Sequence, residues 1–370
     1  MSYNNVKDMS DNKLTLPSNV CDYLVSHLDP LELDDFFENE FCELNEQQDT
    51  TKMKDKLEKI LEKSSQTQSN TYEAMAITRD IGFIASALNR HGVDIHNITN
   101  LESELLRLSE LTLELPRDNV NSYTTRNPKG KRQRTFTNYP EERLFIHSVR
   151  ESMNCLYTIS NKLQLLKETD ICSSDYVRLV NNCSEQFNFM VNSIVQVKKE
   201  ISPERFSFDL QPYFSPFVIG GKLYHGPGGT QMLMIIVEFL LYGSSLDDKE
   251  YQDYLDNNFV YLPYDHREIV ISNKNKPSII DLILLKESTY IERKERLYDS
   301  LNSLEKFLNR IIAFRSPHTQ LAKDNMKVRP PKSLGSGGYN ASILETLLEI
   351  TLEKKRTIKE FKKTVELVNV

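Results

Sequence analysis

The sequence predicts an all-α protein, and three observations carry that reading. Glycine (12) and proline (14) together make about 7% of the 370 residues, against a usual combined ~12%, too few for a strand-and-turn-rich chain. Apolar residues instead return every three or four positions through most of the length, the signature of amphipathic helices. No self-similar period of 20 to 50 residues runs through the chain, so the helices are not expected to stack as a solenoid.

Charge and cysteine usage narrow the class further. A formal net charge of −7 gives no bulk attraction for nucleic acid or an anionic membrane. The five cysteines, at 21, 42, 155, 172 and 183, form no C-x-x-C pair and are odd in number, which predicts neither a zinc site nor a complete disulfide framework but a reducing compartment. The polar start, MSYNNVKDMSDNK, is no signal peptide, and the longest apolar run, Leu233 to Tyr242, contains Glu238 and is too short to cross a bilayer. A cytoplasmic chain is expected.

From Asp29 to Asp49 there are nine acids and no Lys or Arg, interleaved with Leu31, Leu33, Phe36, Phe37, Phe41 and Leu44. This reads as one or two short amphipathic helices with a solvated acidic face. KMKDKLEKILEK continues as helix, and Ser64 to Thr71 is a polar connector. Ala74 to Arg90 has a buried stripe at 77, 81, 84, 85 and 88 and stops at His91-Gly92; Leu101 to Leu115 repeats the pattern. Asn119 to Pro140 holds prolines and five basic residues in nine, from Arg126 to Arg134, and reads as a long solvated loop. A helix opens at Pro140-Glu141-Glu142. Helical periodicity then runs from Leu144 to Leu166 and from Ser174 to Val197. Pro212 and Pro216 break the aromatic segment FSFDLQPYFSPF, and the loop His225-Gly-Pro-Gly-Gly229 leads into the apolar run from Met232. The expected division is an acidic helical segment with its connector over 1–71 and a helical domain over 72–370, with a possible sub-boundary in the 119–140 loop.

The most informative stretch is the helix from about Leu297 to Gln320. Leu297, Leu301, Leu304, Leu308 and Ile311 define one buried face, and the same rhythm lands on Arg315 and His318. Such a histidine is either a satisfied core residue or a metal or haem ligand. Pro317 lacks an N–H, so the helix is expected to bend just before His318. A polar loop, KDNMKVRPPKSLGSGGYN, follows, and a capping box on Ser342 and Glu345 opens the last helix, Ile343 to about Val368. Gly335-Ser-Gly-Gly338 lacks the lysine of a P-loop and the strand of a dinucleotide fingerprint. No H-E-x-x-H or G-x-S-x-G motif is present, so metalloprotease and hydrolase chemistries have no support.

Several motifs in one order resemble the monodechloroaminopyrrolnitrin synthase family: Arg79-Asp-Ile-Gly-Phe83 with Asn89-Arg-His-Gly92, Asn127-Pro128, Ser148-Val-Arg150, Ser202-Pro203, Gly226-Pro-Gly-Gly229, Tyr242-Gly-Ser244, Arg315-Ser-Pro-His318 closing a helix, and Gly335-Ser-Gly-Gly-Tyr339. That enzyme is a haem protein related in fold to the indoleamine and tryptophan 2,3-dioxygenases. The resemblance covers most of the chain from about 72 onward. It implies an indoleamine 2,3-dioxygenase-like multi-helix haem fold with haem b, His318 as the proximal iron ligand, and Arg315, Gly335, Gly337 and Gly338 beside the cofactor. By the same resemblance Ser148 and Tyr339 are catalytic-side residues, and Phe206, Gln211, Gly228, Gly229 and Thr230 meet the substrate. The implied function is a haem-dependent oxygenase acting with O2 and an electron donor on an aromatic, indolic amino acid in specialised metabolism. A haem-dependent ring hydroxylase and a non-catalytic haem or ligand sensor are the alternatives. One residue departs from the pattern: the relatives carry arginine where this chain has Gln211, so Arg205 or another basic group would have to hold a substrate carboxylate.

Overall fold

The computed structural model describes residues 16–228, 231–285, 293–330, 334–335 and 338–367. Among them the fold is all-helical apart from one short hairpin. The N-terminal part contains α1 (Ser18–Val25), α2 (Asp34–Asn39), α3 (Phe41–Glu46), α4 (Thr50–Gln66), α5 (Thr71–Arg90), α6 (Leu101–Thr112) and α7 (Val120–Tyr123). The two longest early helices are α8 (Pro140–Glu168) and α9 (Ser174–Glu200). After the hairpin come α10 (Met234–Glu238), α11 (Lys249–Phe259), α12 (Tyr264–Asn273), α13 (Ile279–Leu285), α14 (Lys294–Lys327) and α15 (Ser342–Leu367).

Local chemistry sets the helix starts. Asn70 Oδ1 accepts from the backbone N–H groups of Tyr72 (2.9 Å) and Glu73 (3.0 Å), while Glu73 accepts from Asn70 N–H at 2.9 Å. This reciprocal box satisfies donors that the first helical turn leaves open. Asp49, Ser173 and Asp248 cap α4, α9 and α11 more simply, each side chain accepting one backbone N–H. Gly92, at φ 80°, ends α5 as the sequence predicts.

Two large apolar cores result, beside a small cluster of Val25, Met75 and Ala76. One joins α2–α6 with Tyr123, Phe136, Ile146, Tyr213 and the hairpin, so that apolar residues of 31–61 share one cluster with those of 74–108 and 213–219. The other is built on α8, α9, α14 and α15, which pack side by side in that order, with α10–α13 against them. No helix among the described residues is long and apolar enough to cross a membrane.

Three expectations are corrected. The 119–140 segment is not a solvated loop: Arg126 is 2% exposed and Arg134 fully buried. Arg126 pairs with Asp22 (2.7 Å) and Glu114 (2.6 Å), and Arg134 with Asp34 and Asp80, so each buried charge is balanced by carboxylates brought from elsewhere. The helix bearing His318 does not close there: α14 runs through Pro317 to Lys327, and the expected loop therefore loses its first residues to helix. Glu345 does not complete a capping box with Ser342; it pairs with Lys323, while Asn340 Oδ1 accepts from Ser342 N–H at 3.4 Å. Within this all-helical fold the chain leaving the aromatic segment forms a small hairpin, β1 (Phe217–Ile219) and β2 (Lys222–Tyr224). Its turn residues Gly220 and Gly221 both have positive φ, 57° and 71°, as a tight type I′ connection requires.

Candidate functional site

Where the two cores meet, α8, α9, α14, the start of α15 and the segment 201–211 enclose a cavity of about 180 Å³. Its walls are mostly apolar, with Phe145, Ile194, Val197, Met232, Leu321 and Leu344 among them. Of the residues singled out from sequence, Ser148, Phe206, Gln211, Arg315, His318, Gly335 and Tyr339 line it. Gly228 and Gly338 do not, and Gly229, Thr230 and Gly337 lie outside the described residues.

His318 sits in the middle of this wall. Its ring stacks on Phe314 one turn earlier, at 5.3 Å between centroids and 24° between planes. Pro317 removes one helical N–H, so the carbonyl of Ala313 lacks its usual donor next to the ring. His318 Nδ1 is buried with no hydrogen-bond partner. Burial, assisted by the nearby Arg315 charge, pushes the imidazole down to about 3, so it is neutral at physiological pH and keeps a lone pair for a ligand. Folding normally pairs a buried polar atom, and an orphan of this kind marks a place for a ligand or bound water.

Arg315 lines the cavity too, yet its guanidinium is already engaged. It forms a bidentate pair with Glu238, which is itself fully buried. Burial disfavours the Arg315 charge, but the carboxylate outweighs that cost and raises its pKa above the ordinary range. Sequence reasoning missed Glu238, which lies 77 positions away from its partner.

The polar residues around the cavity are held by specific contacts. Tyr339 OH accepts from Asn258 Nδ2 at 3.0 Å, and its ring meets Tyr254 edge-on at 5.7 Å. Burial raises the Tyr339 phenol to about 12, so it stays protonated. Phe206 meets Phe145 edge-on at 5.4 Å, forming one aromatic wall. Ser148, on α8, accepts from Ser193 Oγ through its backbone carbonyl at 3.4 Å. Gln211 Nε2 donates to the Leu334 carbonyl at 3.4 Å. Arg205, a candidate to replace the missing arginine, pairs with Asp209 and stacks on Tyr139 instead, outside the lining.

The glycines answer to protein neighbours more than to a ligand. A Cβ on Gly338, at φ 78°, would lie 2.2 Å from His225 Cε1, and one on Gly226 would lie 2.7 Å from the Phe214 carbonyl oxygen. Those close approaches demand glycine regardless of what fills the cavity. His225 itself packs against this turn and does not line the cavity. Asn325 and Arg329 do, about two and three turns beyond the point where the proline suggested α14 would bend away. Continuing the rhythm from His318 by seven and eleven residues would have found both.

Among the described residues, no group of three or more His, Cys, Asp or Glu could hold a metal ion by itself. A family model described as monodechloroaminopyrrolnitrin synthase PrnB matches residues 25–368.

Proposed function

Because the chain belongs to the monodechloroaminopyrrolnitrin synthase PrnB family, and is on that ground a haem-dependent oxygenase of specialised-metabolite biosynthesis, we propose that His318 holds the haem iron and that the adjoining cavity takes an indolic, tryptophan-derived amino acid. The observation that carries this reading is the neutral imidazole of His318 on the cavity wall, with a buried ring nitrogen that no protein group satisfies. A haem would bring nitrogen donors of its own, so that one protein side chain, His318, would suffice to hold it. The donor set therefore fits haem b, although no multi-residue metal cluster is present among the described residues.

When bound, the haem supplies the O2 chemistry, with electrons from an outside donor. The chain's own residues do the rest. Phe314 fixes the plane of the His318 ring, and Glu238 balances the one cation packed beside it. Phe145, Phe206 and Met232 present an apolar wall suited to an indole and exclude water from it. The protonated Tyr339 hydroxyl, held by Asn258, can donate a hydrogen bond to a polar atom of the substrate, and Ser148 offers a second hydroxyl on the α8 wall. Gly335 N–H donates to the Tyr339 carbonyl at 2.8 Å, which fixes the turn presenting that tyrosine.

Reconstituting the purified protein with haem and following O2 uptake with tryptophan-type amino acids and a reductant tests this. A histidine-ligated haem spectrum and substrate-dependent O2 uptake are expected. Haem binding without uptake would make the protein a sensor, a hydroxylated product a ring hydroxylase, and the absence of haem binding would defeat the reading altogether.

A further inference from the structure

Resting on the amino-acid reading above, we infer that Arg329 is the carboxylate anchor of the cavity, standing in for the charge that Gln211 cannot supply.

The cavity-facing side of α14 carries His318, Ala322, Asn325 and, just past the helix end, Arg329. At 1.5 Å of rise per residue, the backbone positions of His318 and Arg329 lie roughly 16 Å apart along this side. Two arginines line the cavity, and they differ in one respect. Arg315 spends its charge on Glu238, whereas Arg329 has no carboxylate partner among the described residues. Among the described residues its guanidinium makes one hydrogen bond, from Nη1 to the Leu334 carbonyl at 2.6 Å. A guanidinium has five N–H donors, so among the described residues most of this one is left for a ligand. Gln211 donates to the same Leu334 carbonyl, which places the neutral amide and the free cation at one end of the cavity. Partial burial lowers the Arg329 pKa, the mark of a cation short of countercharge, yet a guanidinium remains charged at neutral pH.

A second observation points to the same end. Asn325, one turn before Arg329 and 9% exposed, lines the cavity with its Oδ1 buried and unpartnered. A free cation and an orphan acceptor one turn apart are complementary to the carboxylate and ammonium of an α-amino acid. The carboxylate itself could come from such a ligand or from a haem propionate, since a guanidinium grips both through the same paired hydrogen bonds.

The test uses the full chain, as wild type, Arg329→Gln, Arg329→Lys and Asn325→Leu, with thermal melting to confirm that each is folded. Tryptophan, tryptamine and indole-3-propionate are titrated against the haem-loaded proteins, and haem and its dimethyl ester against the apo-proteins. Loss of a charge-assisted carboxylate contact should weaken binding by about ten- to a hundredfold. If the ligand supplies the carboxylate, Arg329→Gln weakens tryptophan and indole-3-propionate by that factor and spares tryptamine, Arg329→Lys restores part of the loss, and Asn325→Leu weakens tryptophan and tryptamine but spares indole-3-propionate. If a propionate supplies it, Arg329→Gln weakens haem and spares the ester. No selective change in either set overturns the anchor, even in a protein that binds haem through His318; failure of haem to bind at all is instead a failure of the proposed function.

Discussion

Glu238→Gln should be among the most damaging conservative substitutions in this protein. The perturbation is one charge: glutamine has nearly the same shape, but Arg315, 3% exposed and with Glu238 as its only carboxylate partner among the described residues, is left as an uncompensated buried cation. Removing one member of a buried pair typically costs about 3–5 kcal/mol. Because the glutamine oxygen can still accept one guanidinium N–H, the lower end, ~3 kcal/mol, is expected here. Arg315→Met strands the opposite charge and should cost a similar amount, whereas the double variant Glu238→Gln/Arg315→Met, with no charge to bury, should cost about 3 kcal/mol less than the sum of the two. Urea unfolding of the apo-proteins at pH 7 measures all three. The cycle should show a coupling of about 3 kcal/mol, well above the ~0.5 kcal/mol scatter of independent sites. A loss below about 1 kcal/mol for Glu238→Gln, or additive effects around the cycle, would refute the reasoning that this pair is a closed unit whose charges have no other outlet.

Three further outcomes are expected. Gly338→Ala sets a Cβ 2.2 Å from His225 Cε1 at a φ of 78°, and should lower stability by at least ~1–2 kcal/mol and displace Tyr339, read by thermal melting and by ligand affinity; an unchanged affinity would mean the turn does not position that tyrosine. Asp22 accepts from Arg126, Tyr157, Asn121 and Thr125 while 2% exposed, so Asp22→Ala should cost about 3 kcal/mol or more and free α1 for early proteolysis. The native His318 ring stays neutral down to about pH 3 while the unfolded chain takes up a proton near 6.5, so its contribution to apo-protein stability is complete above pH 6.5 and falls steadily from there toward pH 3. His318→Phe should remove that slope, by several kcal/mol across the window at most; denaturation at pH 7, 5 and 4 shows whether the variant loses stability less steeply than wild type, and equal slopes would contradict a neutral buried imidazole.

Local signals were legible from sequence wherever one segment decided its own structure. The α5 stripe at 77, 81, 84, 85 and 88 and the His91-Gly92 stop needed only periodicity and a positive-φ glycine. The His318 wall followed from extending the leucine rhythm through Ile311. What stayed hidden depends on distant partners. Arg126 and Arg134 looked solvated because the carboxylates that bury them come from residues 22, 34, 80 and 114. Pro317 does remove a helical hydrogen bond, but α14 packs against α9 on one side and α15 on the other, and that packing carries the helix past the proline. Ending the helix early hid Asn325 and Arg329. The hairpin escaped because three-residue strands have too little length to show alternation, leaving only Gly220-Gly221 as a sign.

The most direct test of the central claim is the ferrous spectrum of the haem-loaded protein beside that of His318→Ala, with circular dichroism to show that helicity is kept. The wild type is expected to show a five-coordinate, histidine-ligated ferrous haem, including an iron–histidine stretch in resonance Raman. In His318→Ala that stretch should vanish, and added imidazole, entering the space vacated on the cavity wall, should restore a nitrogen-ligated spectrum. A His318→Ala protein that retains the wild-type stretch without imidazole would contradict the claim, because another residue would then be holding the iron.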